Sequence, residues 1–330
     1  MNKISDKAEK KSKKTVKFVF LCVLAFFVSF AGSVVFKMTY EPASLKQYSV
    51  DWSEEIGTVH KNLSYGEEEA QKFDLYVPAD NTKKSYGLVV YLHAGGFAGG
   101  DKADDAHMLE WLASKGYVAA GINYTLFSEE NPDANIYTQS MEIKDSMPYV
   151  IEEAKKLGYT IDEMAVSGGS AGGTLALLYG YRDADTSPVP VHLVFEAVGP
   201  SSFYPEDWKS YGFDQNKEAA AYLFSTMSGK QITPDMFGTA DYDKTMKDIS
   251  ALLWVNKNTV PTVMAYGAHD KFQPYDGSLR LNDALNQYNV PHEFTVLEHS
   301  GHGLQNDNKK YLEYMQNVET YLEKYMSVKK

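Results

Sequence analysis

Cysteine is almost missing from this chain of 330 residues: there is one, Cys22, and it falls inside an N-terminal apolar run. The rest of the chain therefore has no thiol, which excludes internal disulfides, a cysteine nucleophile and thiolate metal sites. A domain of about 290 residues can still bury enough apolar surface to hold itself together. Positive charge is also scarce outside one short stretch. Residues 1–17 carry seven lysines against Asp6 and Glu9, while the whole chain is at −12, so residues 37–330 carry −17. An acidic domain of that kind repels phosphate backbones, and nucleic acid is not expected as a partner.

Residues 18–36 lack charge altogether. At 1.5 Å per residue this run spans about 28 Å as a helix, close to the roughly 30 Å of a hydrocarbon core. The preceding lysines orient it with residues 1–17 as a cytoplasmic tail. The expectation is an uncleaved single-pass anchor in the cell membrane with the rest of the chain extracytoplasmic. A signal peptide cut after Ser33, behind Ala31 and Gly32, is the rival, and it would give a secreted protein.

Beyond a charged connector at 37–70, β-rich runs alternate with helical stretches. Strands are expected at 72–77, 87–92, 117–123, 164–167, 193–197, 262–266 and 293–297. Helices are expected near 108–115, 136–157, 171–181, 277–288 and 306–326, with Pro148 kinking or breaking the second. This order implies an α/β fold with a mostly parallel central sheet covered by helices on both faces. Residues 200–255 interrupt the rhythm and read as an insertion over the carboxyl edge of the sheet, a cap or lid within the 71–330 domain.

Gly168-Gly169-Ser170-Ala171-Gly172 follows one expected strand and opens a helix. A G-x-S-x-G turn between a strand and a helix can expose its serine above the sheet as a nucleophile, so Ser170 is the expected nucleophile. Upstream, His93-Ala94-Gly95-Gly96-Phe97 follows another strand. Backbone N–H groups of Gly95 and Gly96, with that of Ala171, can stabilise an oxyanion where side chains would clash. His93 is expected to hold that loop by hydrogen bonding. Serine needs a base oriented by a carboxylate, in the chain order serine, acid, histidine. Asp270 and His302 follow the last two strands and fit, with Asp276 as the rival acid and His299 or His269 as the rival base. The glycines flanking His302 are expected to let its loop turn inward. The remaining histidines, His60, His107, His192 and His292, read as surface or structural. His299 and His302 lie in a loop without a third ligand nearby, so no metal site is expected.

The stretches 73–78, 93–97, 122–124, 168–173, 268–270 and 300–303 together resemble the α/β-hydrolase esterases of the hormone-sensitive-lipase and carbohydrate-esterase-like group. The resemblance implies hydrolysis of carboxylic esters, often of acetyl or other short acyl groups, on a small-molecule or glycan ester, with no cofactor. Two departures stand out. Ala94 replaces the first glycine of the usual H-G-G-G, and Gly169 stands where many lipase-like members carry an acid. An amidase or peptidase on the same scaffold, or a catalytically silent surface protein, are the alternatives.

Overall fold

The architecture comes from a computed structural model, which describes residues 45–326. The anchor expected at 18–36, the basic tail at 1–17 and the first part of the connector lie outside the described residues. Among the described residues no helix is long and apolar enough to cross a membrane.

Eight strands form one sheet in the order β1-β2-β4-β3-β5-β6-β7-β8. They are β1 Gly57–Ser64, β2 Lys72–Pro78, β3 Tyr86–Leu92, β4 Val118–Ile122, β5 Ile161–Gly169, β6 Val191–Ala197, β7 Thr262–Gly267 and β8 His292–Leu297. From β4 onward every pairing is parallel, while β1 and β2 add antiparallel at one edge. In β3 the run Leu88-Val89-Val90 is fully buried, as a strand covered on both faces requires.

Five helices pack on the sheet, α1 Ala106–Ser114, α2 Ile136–Lys156, α3 Ala171–Leu178, α6 Tyr275–Gln287 and α7 Asn308–Tyr325, while α4 Lys217–Ser228 and α5 Ala240–Met246 lie between β6 and β7 in the 200–255 segment. Every residue of α3 is buried. That burial explains its composition, because glycine and alanine let it lie close to the strands beneath.

Two expectations need correction. Residues 57–64, read as part of the connector, form strand β1. Its pattern is half exposed, with His60, Lys61 and Asn62 interrupting the apolar alternation, and its register shifts between His60 and Leu63. An edge strand with a bulge carries little period-two signal. Of the kink or break expected at Pro148, the break is absent: α2 runs unbroken from Ile136 to Lys156. The proline is exposed, so water can satisfy the carbonyl that its missing N–H leaves unpaired.

Candidate active site

Ser170 sits at the junction of β5 and α3 with φ 53° and ψ −120°, a backbone conformation that L-residues avoid. Its amide donates to the carbonyl of Ala197, at the end of the neighbouring β6, at 2.8 Å. The glycines around it are there for proximity. A Cβ on Gly168 would lie 2.7 Å from the carbonyl oxygen of Leu92, and one on Gly172 only 1.9 Å from that same oxygen. At Gly169 a Cβ would meet nothing closer than the Tyr91 hydroxyl at 3.9 Å.

Three residues distant in sequence converge at this turn. His302 Nε2 lies 2.8 Å from Ser170 Oγ, and His302 Nδ1 lies 2.7 Å from Asp270 Oδ2. The serine hydroxyl thus donates to Nε2, and the Nδ1–H donates to the carboxylate. The other carboxylate oxygen, Asp270 Oδ1, accepts the backbone N–H of Phe272 at 2.8 Å and of Gln273 at 2.9 Å. With its side chain buried and both oxygens engaged, Asp270 fixes the plane of the imidazole.

The rivals are placed elsewhere. Asp276 pairs with Lys209 at 2.6 Å, His299 pairs with Asp307 at 2.7 Å, and the side chain of His269 is exposed. The glycines beside His302 play a different part from the one expected. Neither Gly301 nor Gly303 has positive φ; Leu304 does, at 54°. The close approach is at Gly267, where a Cβ would lie 2.3 Å from the carbonyl oxygen of Gly301.

The loop after β3 bends through positive φ at Gly95 (129°), Gly96 (61°), Phe97 (67°) and Gly100 (92°). Ala94 is outside that set, so replacing a glycine there needs no strained backbone. His93 is buried, stacks on Tyr124 at 4.3 Å, and its Nδ1 lies 2.7 Å from the carbonyl oxygen of Ala94. Burial holds its pKa below the usual histidine value, so the ring is neutral and its Nδ1–H donates to the loop. Sequence reading missed Gln139 of α2, whose amide donates to the carbonyls of Phe97 and Thr125 at 2.8 and 2.9 Å.

Gly95, Gly96, Ser170, Ala171 and His302 all line one cavity of about 650 Å³. Its far walls come from the 200–255 segment, which holds Trp208 and Tyr211 in a short 3-10 stretch and Leu223 and Met227 on α4. Asp207 anchors that stretch: buried itself, it accepts from Arg280 Nε and Nη2 of α6, each at 2.7 Å. Trp208 Nε1 donates to the carbonyl of Ser202 at 2.8 Å, which orients the indole. No Asp, Glu, Lys or Arg is among the lining residues. Among the described residues no cluster of His, Cys, Asp and Glu could hold a metal.

The fold and site together define the class, an α/β-hydrolase of the esterase group. Residues 73–285 match BD-FAE, and the chain belongs to that family. Among characterised relatives, esterase LipC of Mycobacterium tuberculosis is 23% identical over 234 residues, covering 66% of this chain and 53% of the relative. Kynurenine formamidase of Salmo salar is 31% identical over 117 residues, covering 36% of this chain and 37% of the relative. The matched stretch thus spans between about a third and a half of these relatives' own lengths. Esterase B from Lactobacillus rhamnosis superposes with a TM-score of 0.61 at 19% identity over 91% of this chain and 95% of its own. Est2 from Thermogutta terrifontis gives 0.63 at 19% over 81% and 91%. These two likenesses carry the fold.

Proposed function

We propose that this protein hydrolyses carboxylic esters of short, neutral acyl groups through an acyl-enzyme on Ser170. The observation that carries this reading is the relay from Ser170 Oγ to His302 Nε2 at 2.8 Å and from His302 Nδ1 to Asp270 at 2.7 Å, open to a cavity without charged walls. His302 takes the serine proton as Oγ attacks the ester carbonyl. The N–H groups of Gly95, Gly96 and Ala171 receive the oxyanion, and the alcohol departs with the proton from His302. Water then repeats the sequence on the acyl-enzyme and restores the serine. Asp270 holds the tautomer and stabilises the imidazolium.

The apolar lining favours uncharged acyl groups, because a buried carboxylate or ammonium there would find no partner. Residues 200–255 act in this reading as the cap that selects substrate. The uncharged run at 18–36 anchors the enzyme in the membrane with its domain outside the cytoplasm. The local match to a formamidase supports a second reading, hydrolysis of an amide by the same triad.

The test is hydrolysis of p-nitrophenyl acetate, butyrate and octanoate and of an acyl anilide, beside Ser170→Ala. Turnover of the short esters that disappears in the variant is the expected result. Anilide turnover faster than ester turnover would favour the amide reading. Equal rates in the variant would remove Ser170 as nucleophile.

A further inference from the structure

The end of β6 holds a carboxyl group that the triad does not use. Glu196, next to last in that strand, is fully buried, and its Oε2 accepts the N–H of Gly199 at 2.8 Å. A Cβ on Gly173 or on Gly199 would each lie 2.9 Å from that oxygen. The carboxyl is therefore wedged between the first turn of α3 and the turn that follows β6.

That turn bears directly on the site. Ala197 accepts the amide of Ser170 at 2.8 Å, and Pro200 accepts the hydroxyl of Thr174 in α3 at 2.8 Å. Val198 and Pro200 line the cavity. Val198 has φ 52°, a left-handed conformation that a β-branched residue adopts only under constraint. Such strain persists where the surroundings over-determine it. Here the constraints are Glu196 on Gly199 N–H, the Tyr266 hydroxyl on Gly199 O at 2.8 Å, and Val198 N–H on Ala265 O at 2.9 Å.

We propose that Glu196 is a positioning residue, whose buried carboxyl locks the 197–200 turn through its hydrogen bond with Gly199 N–H, and thereby the backbone of Ser170. The inference rests on Ser170 being the nucleophile. The groups that hydrogen-bond to the carboxyl are the hydroxyl of Tyr266 on β7 and the N–H of Gly199. Burial pushes the carboxyl pKa up to about 8, while the hydrogen bonds of Tyr266 and Gly199 work in the opposite direction.

The experiment uses the full chain in detergent and p-nitrophenyl acetate. Rates of wild type and the Glu196 variants are normalised to active sites titrated with a fluorophosphonate, and that of Ser170→Ala to protein concentration, all at neutral pH. The set is wild type, Glu196→Gln, Glu196→Ala and Ser170→Ala. Glu196→Gln, which keeps a side-chain oxygen to accept the Gly199 N–H, is expected to retain kcat near wild type. Glu196→Ala loses about tenfold in kcat, the worth of one positioning hydrogen bond, with KM little changed. The inference is overturned by full kcat in Glu196→Ala, or by a loss in Glu196→Gln as large as that in Glu196→Ala. The isosteric glutamine keeps it testable if the alanine variant does not fold. Wild-type turnover in Ser170→Ala would instead remove the nucleophile, and this inference with it. An inactive Ser170→Ala leaves the Glu196 variants to speak for Glu196 alone.

Discussion

Gly172 of α3 presses against Leu92 of β3 so closely that a single methyl group on the glycine would lie 1.9 Å from the leucine carbonyl oxygen. This contact joins the helix behind Ser170 to the strand that feeds the Gly95–Gly96 loop. The serine and its expected oxyanion donors are thus set against each other by backbone packing. Gly172→Ala has no flexible side chain to push aside, so the destabilisation falls at the upper end of overpacking, about 3 kcal/mol. Gly169→Ala meets only the Tyr91 hydroxyl at 3.9 Å and is expected to stay within about 1 kcal/mol. Thermal melts of the two variants check the contrast, and equal losses would contradict it.

Residues 200–255 are tied to helix α6 through Asp207 and Arg280. Arg280→Ala leaves the Asp207 carboxylate buried without its guanidinium. Since the arginine is itself about half exposed, the loss is nearer about 2 kcal/mol than the larger values of fully buried pairs. Because Trp208 follows Asp207 directly and lines the cavity, KM is expected to rise more than kcat falls. Chemical denaturation together with ester kinetics measures both. An unchanged KM would detach residues 200–255 from substrate selection.

Glu196 also gives stability a pH dependence. Its carboxyl is pushed from the ordinary 4.5 to about 8 in the folded protein. Between those values the folded state holds a proton that the unfolded chain has released. The contribution of this group is therefore full below about pH 4.5 and declines as pH rises through 8, by at most about 1.4 kcal/mol per pH unit. Glu196→Gln is expected to flatten that decline. Urea midpoints at about pH 5 and about pH 8 read it out, and parallel behaviour of the two proteins would contradict it.

Much of this was legible because buried parallel strands announce themselves as short apolar runs, and because the motifs at Ser170 and Gly95–Gly96 are local. The remainder depends on partners far apart in the chain. Glu196 looks like an ordinary polar position in VHLVFEA, and nothing nearby in sequence says that Gly173 and Gly199 enclose it. Asp207 and Arg280 are 73 residues apart, and the helices α4 and α5 between β6 and β7 lack a strong apolar period. The flanking glycines of His302 suggested a bend by conformation. The constraint is instead the crowding of Gly267 against Gly301, a contact between two loops that no local pattern encodes.

The central claim is that Ser170 is a nucleophile activated by His302 and Asp270, and covalent labelling tests it most directly. The folded full chain is treated with a fluorophosphonate and digested, and the peptides are weighed. One adduct on the peptide carrying Ser170 is expected, absent from Ser170→Ala and formed about a thousandfold more slowly, or further still, in Asp270→Asn, where the imidazole takes the wrong tautomer. No adduct on the folded protein, or an adduct that persists in Ser170→Ala, would contradict it.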